Sequence, residues 1–113
     1  MHEDIKELVD AMERGYTKIP HMNRLFYFQT NESQKIMACC AIGHAYIGKT
    51  GAVYDFCETV NSHKLFPVLG TQMVTIDGED KPCTLWGAIT RLNDHYLWTT
   101  PQIVEWLRSY QKD

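Results

Sequence analysis

Cys40 and His44 are the first residues whose types and spacing could do chemistry. They stand four positions apart, so a helix would place the thiol and the imidazole on one face. Such a pair can bind a metal ion or act as a thiolate–imidazole couple in nucleophilic catalysis. Free cysteine is more often a small buried side chain, and a core histidine often bonds to the backbone. We therefore favour a structural interpretation of this pair.

The strongest local cluster of polar and aromatic side chains begins at Asn93-Asp94. Short polar residues at a helix boundary usually bond the backbone of the turn, and we favour that structural interpretation. The functional alternative is a contact site, because two aromatic residues and a histidine follow directly. For such a site we expect a surface rim with these binding residues: His44, Asn93, Asp94, His95, Tyr96 and Trp98.

Cys57, His63 and Cys83 form a third candidate set, made of residue types that bind zinc. Cys39 or His44 could supply a fourth ligand. No Cys-x-x-Cys or His-x₃-His pair supports this set, so we expect buried thiols and a surface imidazole, with no metal and no cofactor. A small protein stabilised by zinc at these three residues is the alternative.

Sequence motifs of known catalytic sites are missing from the chain. It contains no Gly-x-Ser-x-Gly elbow, no phosphate-binding loop and no His-Glu-x-x-His. Asp94 could orient His95 as a base, but adjacent side chains on a helix point apart. Without an identifiable nucleophile we predict that the chain is not an enzyme. A small cysteine-dependent enzyme, with Cys40 as its nucleophile, is a further alternative.

Length and composition define the class of protein that carries these residues. The chain has 113 residues, 44% hydrophobic and 22% charged, which is typical of a single globular domain over residues 1–113. A net charge of −3 with dispersed basic residues argues against nucleic-acid binding. No apolar stretch has the length of a membrane span, and no secretory signal is visible. We expect a cytoplasmic protein without nucleic-acid or membrane partners.

Amphipathic spacing predicts helices at both ends of the chain. The apolar stripe of the first helix consists of Ile5, Leu8, Val9 and Met12. Two further stripes predict a C-terminal helical hairpin and consist of Leu85, Ile89, Leu92 and Tyr96, and of Ile103, Trp106, Leu107 and Tyr110. We expect Gly15 to end the first helix, and Thr99 or Thr100 to cap the last one, with Pro101 at its first position.

The uncharged segment Ile36–Ile47 is predicted to form the central helix of the fold. A helix that is apolar on all sides is normally buried by its neighbours. Gly48 and Gly51 are expected to end this helix. A short helix is also expected over Val53–Leu65.

Two segments have the composition of strands, Arg24–Thr30 and Gln72–Ile76. The second is expected to pair with Leu25–Phe28, because the polar residues after Asp77-Gly78 make a weak return strand. Together these elements predict a mainly α (α+β) fold. In it, about four helices surround the buried central helix beside a small two-stranded sheet.

Two motifs resemble those of a family of small uncharacterised bacterial and phage proteins. The first is Cys40-Ala41-Ile42-Gly43-His44-Ala45, which is similar to a Cys-Ala-Leu-Gly-Ala-Ala helix. The second runs from Ile89 through Leu92-Asn93-Asp94-His95-Tyr96-Leu97-Trp98-Thr99 to Gln102-Ile103-Val104-Glu105-Trp106, and resembles Leu-Asn-Asp-x-His-x-Trp-Thr followed by Gln-Ile-x-x-Trp. The chain departs from the family at His44, at Tyr96 in place of the family's histidine, and at the lone Cys83 in place of Cys-x-x-Cys.

The resemblance implies a fold and a lineage, and no reaction. The function that we expect is a non-enzymatic binding module of bacterial or phage origin. It would dock to a host protein or sequester a small ligand, and the lineage adds counter-defence or host takeover by analogy. The sequence does not determine the oligomeric state.

Overall fold

The structure, a computed structural model, describes residues 2–22, 27–29, 36–51 and 65–111. Helices within these ranges are α1 (His2–Lys18), α2 (Ala41–Thr50), α3 (Val68–Thr71), α4 (Leu85–Asp94) and α5 (Thr100–Gln111). Strands are β1 (Tyr27–Gln29), β2 (Ile36–Cys39), β3 (Met73–Val74) and β4 (Cys83–Thr84). The mainly helical α+β prediction is confirmed. The helix expected over Val53–Leu65 lies outside the described residues, apart from Leu65.

The apolar stripe of α1 is buried as its spacing predicts, because Ile5, Leu8, Val9 and Met12 all belong to the core. The prediction that Gly15 ends this helix is wrong, since α1 continues to Lys18. A methyl group at Gly15 would lie 1.9 Å from the carbonyl oxygen of His44 in α2. Gly15 therefore permits the close packing of α1 on α2. In the sequence, a glycine with this role looks the same as a glycine that ends a helix.

The prediction that Ile36–Ile47 is one helix is wrong for its first part. Residues Ile36–Cys39 form β2, and α2 begins only at Ala41 after the extended residue Cys40. Every residue of Ala41–Ile47 is buried, as expected for a central helix without charges. An uncharged apolar segment suits a buried strand as well as a buried helix, so periodicity could not divide it.

The end of α2 lies between the two glycines that were expected to end it. Gly51 has a φ of 74° and its N–H donates to the carbonyl of Ile47, so its role as C-terminal cap is confirmed. Gly48 lies within the helix instead, where a methyl group would approach the carbonyl oxygen of Ala11 to 1.7 Å. Both helices thus have a glycine where the partner backbone comes close.

Within the described ranges, two antiparallel pairs of strands replace the single predicted pair. β1 pairs with β2, with Tyr27 opposite Cys39, and β3 pairs with β4. The predicted pairing of Gln72–Ile76 with Leu25–Phe28 is therefore wrong. β3 and β4 are joined by a short connection in which Gly78 has a φ of 91°, and closing a short loop costs less entropy than closing a long one.

The C-terminal hairpin is formed by α4 and α5. Its core positions are Leu85, Ile89, Leu92, Ile103 and Leu107, all with no measurable exposure. α4 ends at Asp94, so Tyr96 is not part of the predicted stripe and is 42% exposed. In the described part of the chain, no helix is long and apolar enough to cross a membrane.

The start of α5 is capped by the side chain of Gln102, which reaches back to Thr99, the residue before the helix. The carboxamide oxygen of Gln102 accepts hydrogen bonds from the backbone N–H and the hydroxyl of Thr99, at 2.8 and 3.3 Å. The carbonyl of Thr99 accepts from the N–H of Ile103. Thr99 is therefore the capping residue, and Pro101 is the second residue of the helix rather than the first.

Candidate functional site

His44 lies in the interior, not on the predicted surface rim. Its side chain belongs to α2, whose residues Ala41–Ile47 are all buried, and its ring contacts α1, the segment after α1 and the start of α5. The ring of Tyr16 in α1 packs against it in a T-shaped arrangement, with 5.4 Å between the ring centroids. One ring nitrogen, Nδ1, is 2.6 Å from the hydroxyl of Thr100 at the start of α5. The other, Nε2, is 2.7 Å from the carbonyl oxygen of Ile19 after α1.

These contacts determine the direction of each hydrogen bond around His44. A carbonyl oxygen can only accept, so Nε2 carries the proton and donates to Ile19. Nδ1 of the neutral ring then accepts from the hydroxyl of Thr100. The hydroxyl oxygen is also 2.8 Å from Nδ1 of His21, whose ring has a further hydrogen bond with the backbone of Trp98. His21, Thr100 and His44 therefore form a row of polar contacts from the edge of the fold to its interior.

Burial favours the neutral form of both imidazoles, His44 and His21. Burial lowers the pKa of His44 to about 4, the nearby His21 adds to this shift, and the hydrogen bond to Ile19 opposes it. Burial also lowers the pKa of His21, which a hydrogen bond to the backbone of Trp98 partly offsets. With both ring nitrogens bonded, His44 has no lone pair free for a metal ion or a substrate.

Cys40 lies outside the helix that carries His44, and both residues are buried, as the favoured structural interpretation of the pair expects. It precedes α2 as the capping residue, and its carbonyl accepts from the N–H of His44. Burial raises the pKa of its thiol to about 11, and burial also raises the pKa of Cys39. Both thiols are therefore protonated near neutral pH, which argues against a nucleophilic role.

Asn93 is buried in α4 and bonds the first residue of another helix, α2. Its carboxamide oxygen accepts from the backbone N–H of Ala41 at 3.2 Å, and its Nδ2 donates to the carboxylate of Asp94 at 2.9 Å. Cys40 offers no side-chain cap to α2, so Asn93 supplies one from α4. Asn93 thus has a structural role, as the interpretation of Asn93-Asp94 favoured, but it bonds the backbone of a distant helix, which the sequence did not reveal.

The turn between α4 and α5 exposes apolar side chains. Tyr96 and Leu97 are 42% and 49% exposed, and Trp98 is half-buried against the core. Leu97 has a φ of 58°, a left-handed conformation that usually falls to glycine after a helix. The turn is fixed on both sides, since the N–H of Trp98 donates to Leu92 and the hydroxyl of Tyr96 donates to Glu79.

Two grooves flank α5 beside this turn. One has a volume of about 520 Å³ and is lined by Trp98, Pro101, Gln102, Glu105 and Trp106. The other has a volume of about 340 Å³ and lies between α1 and α5, and its lining includes Glu13, Tyr16, Pro101, Val104, Glu105 and Arg108. Both volumes are in the range of about 300–1,000 Å³ that is typical of ligand sites. Pro101 and Glu105 border both grooves and form the ridge between them.

The structure therefore divides the six predicted binding residues into two groups. His44 and Asn93 are buried and bonded within the fold, whereas His95, Tyr96 and, in part, Trp98 are accessible in the turn. Asp94 is partly buried between the groups and accepts from Asn93. Sequence reasoning missed Leu97, His21 and Thr100, because backbone conformation and contacts between distant segments leave no local pattern.

Of the three predicted zinc ligands, Cys83 belongs to the described part of the chain, whereas Cys57 and His63 lie outside it. Cys83 is partly buried in β4. Among the described residues, no three histidine, cysteine, aspartate or glutamate side chains are grouped so that they could hold a metal ion.

Comparison with models of protein families, with characterised proteins and with solved structures gives no significant match.

Proposed function

We propose that the chain is a non-enzymatic binding module that docks a segment of a partner protein. The docking surface consists of Leu97, Trp98, Pro101, Glu105 and Trp106. It includes part of the predicted rim, in Trp98, and borders Tyr96. The conformation of Leu97 is the observation that carries the proposal.

Leu97 combines a strained backbone with an exposed apolar side chain. A left-handed conformation costs a non-glycine residue about 1–2 kcal/mol. Half of the side chain remains in water, so its burial returns only about half of the 1.5–3 kcal/mol that a fully buried leucine contributes. The strain and the burial of Leu97 thus nearly cancel in the free energy of unfolding. Glycine or asparagine at this position would avoid the strain. Strain that is retained without a gain in stability is typical of functional sites.

The surroundings of Leu97 have the character of a protein interface. Tryptophan and tyrosine are enriched at interfaces; Trp98 and Trp106 line the groove, and the exposed Tyr96 and Leu97 directly precede Trp98 in the turn. Exposed apolar side chains grouped in this way commonly mark a contact site. The protonated thiols and the fully bonded His44 favour binding over catalysis. A host protein as the partner, and a role in counter-defence or host takeover, would follow from the resemblance to phage and bacterial proteins, by analogy.

Site-directed photo-cross-linking in the organism that encodes the chain tests the proposal. A benzophenone amino acid replaces Gln102, which lies exposed in the groove, or Met73, which is 51% exposed in β3 and serves as the matched apolar control. We expect a cross-linked product of defined mass from position 102 and none from position 73.

The variant Leu97→Asn separates docking from folding. Asparagine tolerates the left-handed conformation, so relief of strain offsets the lost burial, and the free energy of unfolding should change by less than about 0.5 kcal/mol. The cross-link from position 102 should nevertheless disappear. A cross-link that persists in Leu97→Asn, or that also forms at Met73, would show that this surface is not the docking site.

A further inference from the structure

We infer that the partner segment is amphipathic and basic, with a lysine or arginine held between two apolar anchor residues. The inference depends on the proposed docking function and specifies the chemistry of its partner. The juxtaposition that supports it is Glu105 on the ridge between the two grooves that flank α5.

Glu105 is an exposed carboxylate in mainly apolar surroundings. Pro101 lies one helical turn before it, and the groove walls on either side are formed by Trp98 and Trp106 and by Tyr16 and Val104. Within the described part of the chain, Glu105 takes part in no ion pair and no side-chain hydrogen bond. No described side chain therefore compensates its negative charge.

The nearest basic side chain on the same helix does not neutralise Glu105. Arg108 donates to the carboxylate of Glu13 in α1, with 2.5 Å between Nη2 and Oε1. The three charged groups that line the two grooves are therefore Glu13, Glu105 and Arg108, and together they leave one negative charge. The whole chain is acidic as well, with a net charge of −3. Electrostatic complementarity favours a cationic partner at this ridge.

The two grooves determine which residues flank the basic residue of the partner segment. Each offers an apolar recess for one anchor side chain, and the Glu105 ridge lies between them. A segment that crosses α5 would place one apolar residue in each groove and its basic residue over Glu105. The aliphatic stem of lysine or arginine would lie on Pro101, and its charge would also approach the face of Trp106, which favours cations.

A displayed library of random peptides tests this inference and does not require the natural partner. The library is selected in parallel on the wild-type chain, on Glu105→Lys and on Asp77→Lys. Asp77 is an exposed carboxylate in the turn between β3 and β4 and lines neither groove, so its reversal changes the net charge equally without altering a groove wall. We expect wild type and Asp77→Lys to enrich peptides with a lysine or arginine between two apolar residues.

Binding of one enriched peptide is then measured with each variant. We expect Glu105→Lys to weaken it about tenfold, because attraction is replaced by repulsion, and Glu105→Gln to weaken it about threefold. Exchange of the basic residue of the peptide for glutamate should restore binding to Glu105→Lys. Asp77→Lys should bind the original peptide as wild type does.

The remaining outcomes distinguish this inference from the proposed function. Peptides that are apolar but lack a basic residue, and that lose affinity with Leu97→Asn but not with Glu105→Lys, would overturn the inference and leave the docking surface in place. Failure to enrich any peptide, or enriched peptides that are insensitive to both Leu97→Asn and Glu105→Lys, would overturn both.

Discussion

The buried His44 predicts a specific dependence of stability on pH. Its imidazole is neutral in the folded chain, since burial lowers its pKa from 6.5 to about 4. In the unfolded chain the ring regains water and its ordinary pKa. Between these two values the unfolded state binds more protons than the folded state, so stability falls as the pH falls from about 6.5 to about 4.

The size of this effect follows from the shift in the pKa. Each unit corresponds to about 1.36 kcal/mol, so the full shift amounts to about 3 kcal/mol, reached below pH 4. About 2 kcal/mol of that should already be lost at pH 5, where the unfolded histidine is almost fully protonated and the buried one is not. This is a large part of the about 5–15 kcal/mol that stabilises an ordinary domain.

Urea denaturation at pH 7.5 and pH 5.0 measures the effect. Carboxylates also titrate in this range, so wild type is compared with His44→Gln, whose amide N–H can still donate to the carbonyl of Ile19. His95→Gln is the matched control, because His95 is exposed at the end of α4. We expect wild type and His95→Gln to lose about 2 kcal/mol more than His44→Gln between the two pH values.

An NMR titration of the wild-type chain tests the same effect without a core substitution. The ring of His44 should remain neutral, with a slowly exchanging Nε2 proton, until the chain unfolds in acid. Titration of this ring near pH 6.5 in the folded chain would refute the linkage between burial and stability. An equal loss of stability in wild type and His44→Gln would refute it as well.

Three further predictions follow from contacts between the helices, each measured by urea denaturation unless stated otherwise. Gly15→Ala places a methyl group against the His44 carbonyl and should cost about 2–3 kcal/mol, whereas Thr17→Ala on the exposed side of α1 should cost less than about 0.5 kcal/mol. Asn93→Ala removes the cap of α2 and should cost about 1–2 kcal/mol, with no change in the urea m-value. Labelling of Cys40 by a thiol reagent should proceed at the rate of unfolding, because its thiol is buried and protonated at neutral pH; fast labelling in the native state would contradict this.

The elements that the sequence predicted well are those with a strong helical period. The stripes of α1, α4 and α5 each identify residues that the structure buries, such as Leu8, Ile89 and Leu107. Segments without a period were predicted poorly. Ile36–Ile47 is apolar throughout, so neither the strand Ile36–Cys39 nor the start of α2 left a signal.

The candidate site was predicted only where aromatic residues follow a helix. Trp98 is half-exposed beside a groove, as an aromatic anchor next to a turn would be. The favoured interpretation of His44, a core histidine bonded to the backbone, agrees with the structure, whereas its place in the surface rim does not, because its partners could not be known. Those partners, Ile19, His21 and Thr100, come from the segment after α1 and from the start of α5, and only the fold brings them together.

The cap that Asn93 provides for Ala41 has a consequence for synthesis on the ribosome. The two residues are 52 positions apart, and α2 has no acidic residue in its first turn and no side-chain cap of its own. When α2 leaves the exit tunnel, α4 has not yet been translated. The first turn of α2 therefore lacks this cap during elongation, and the contact can form only after translation has passed Asn93, late in the emergence of the nascent chain.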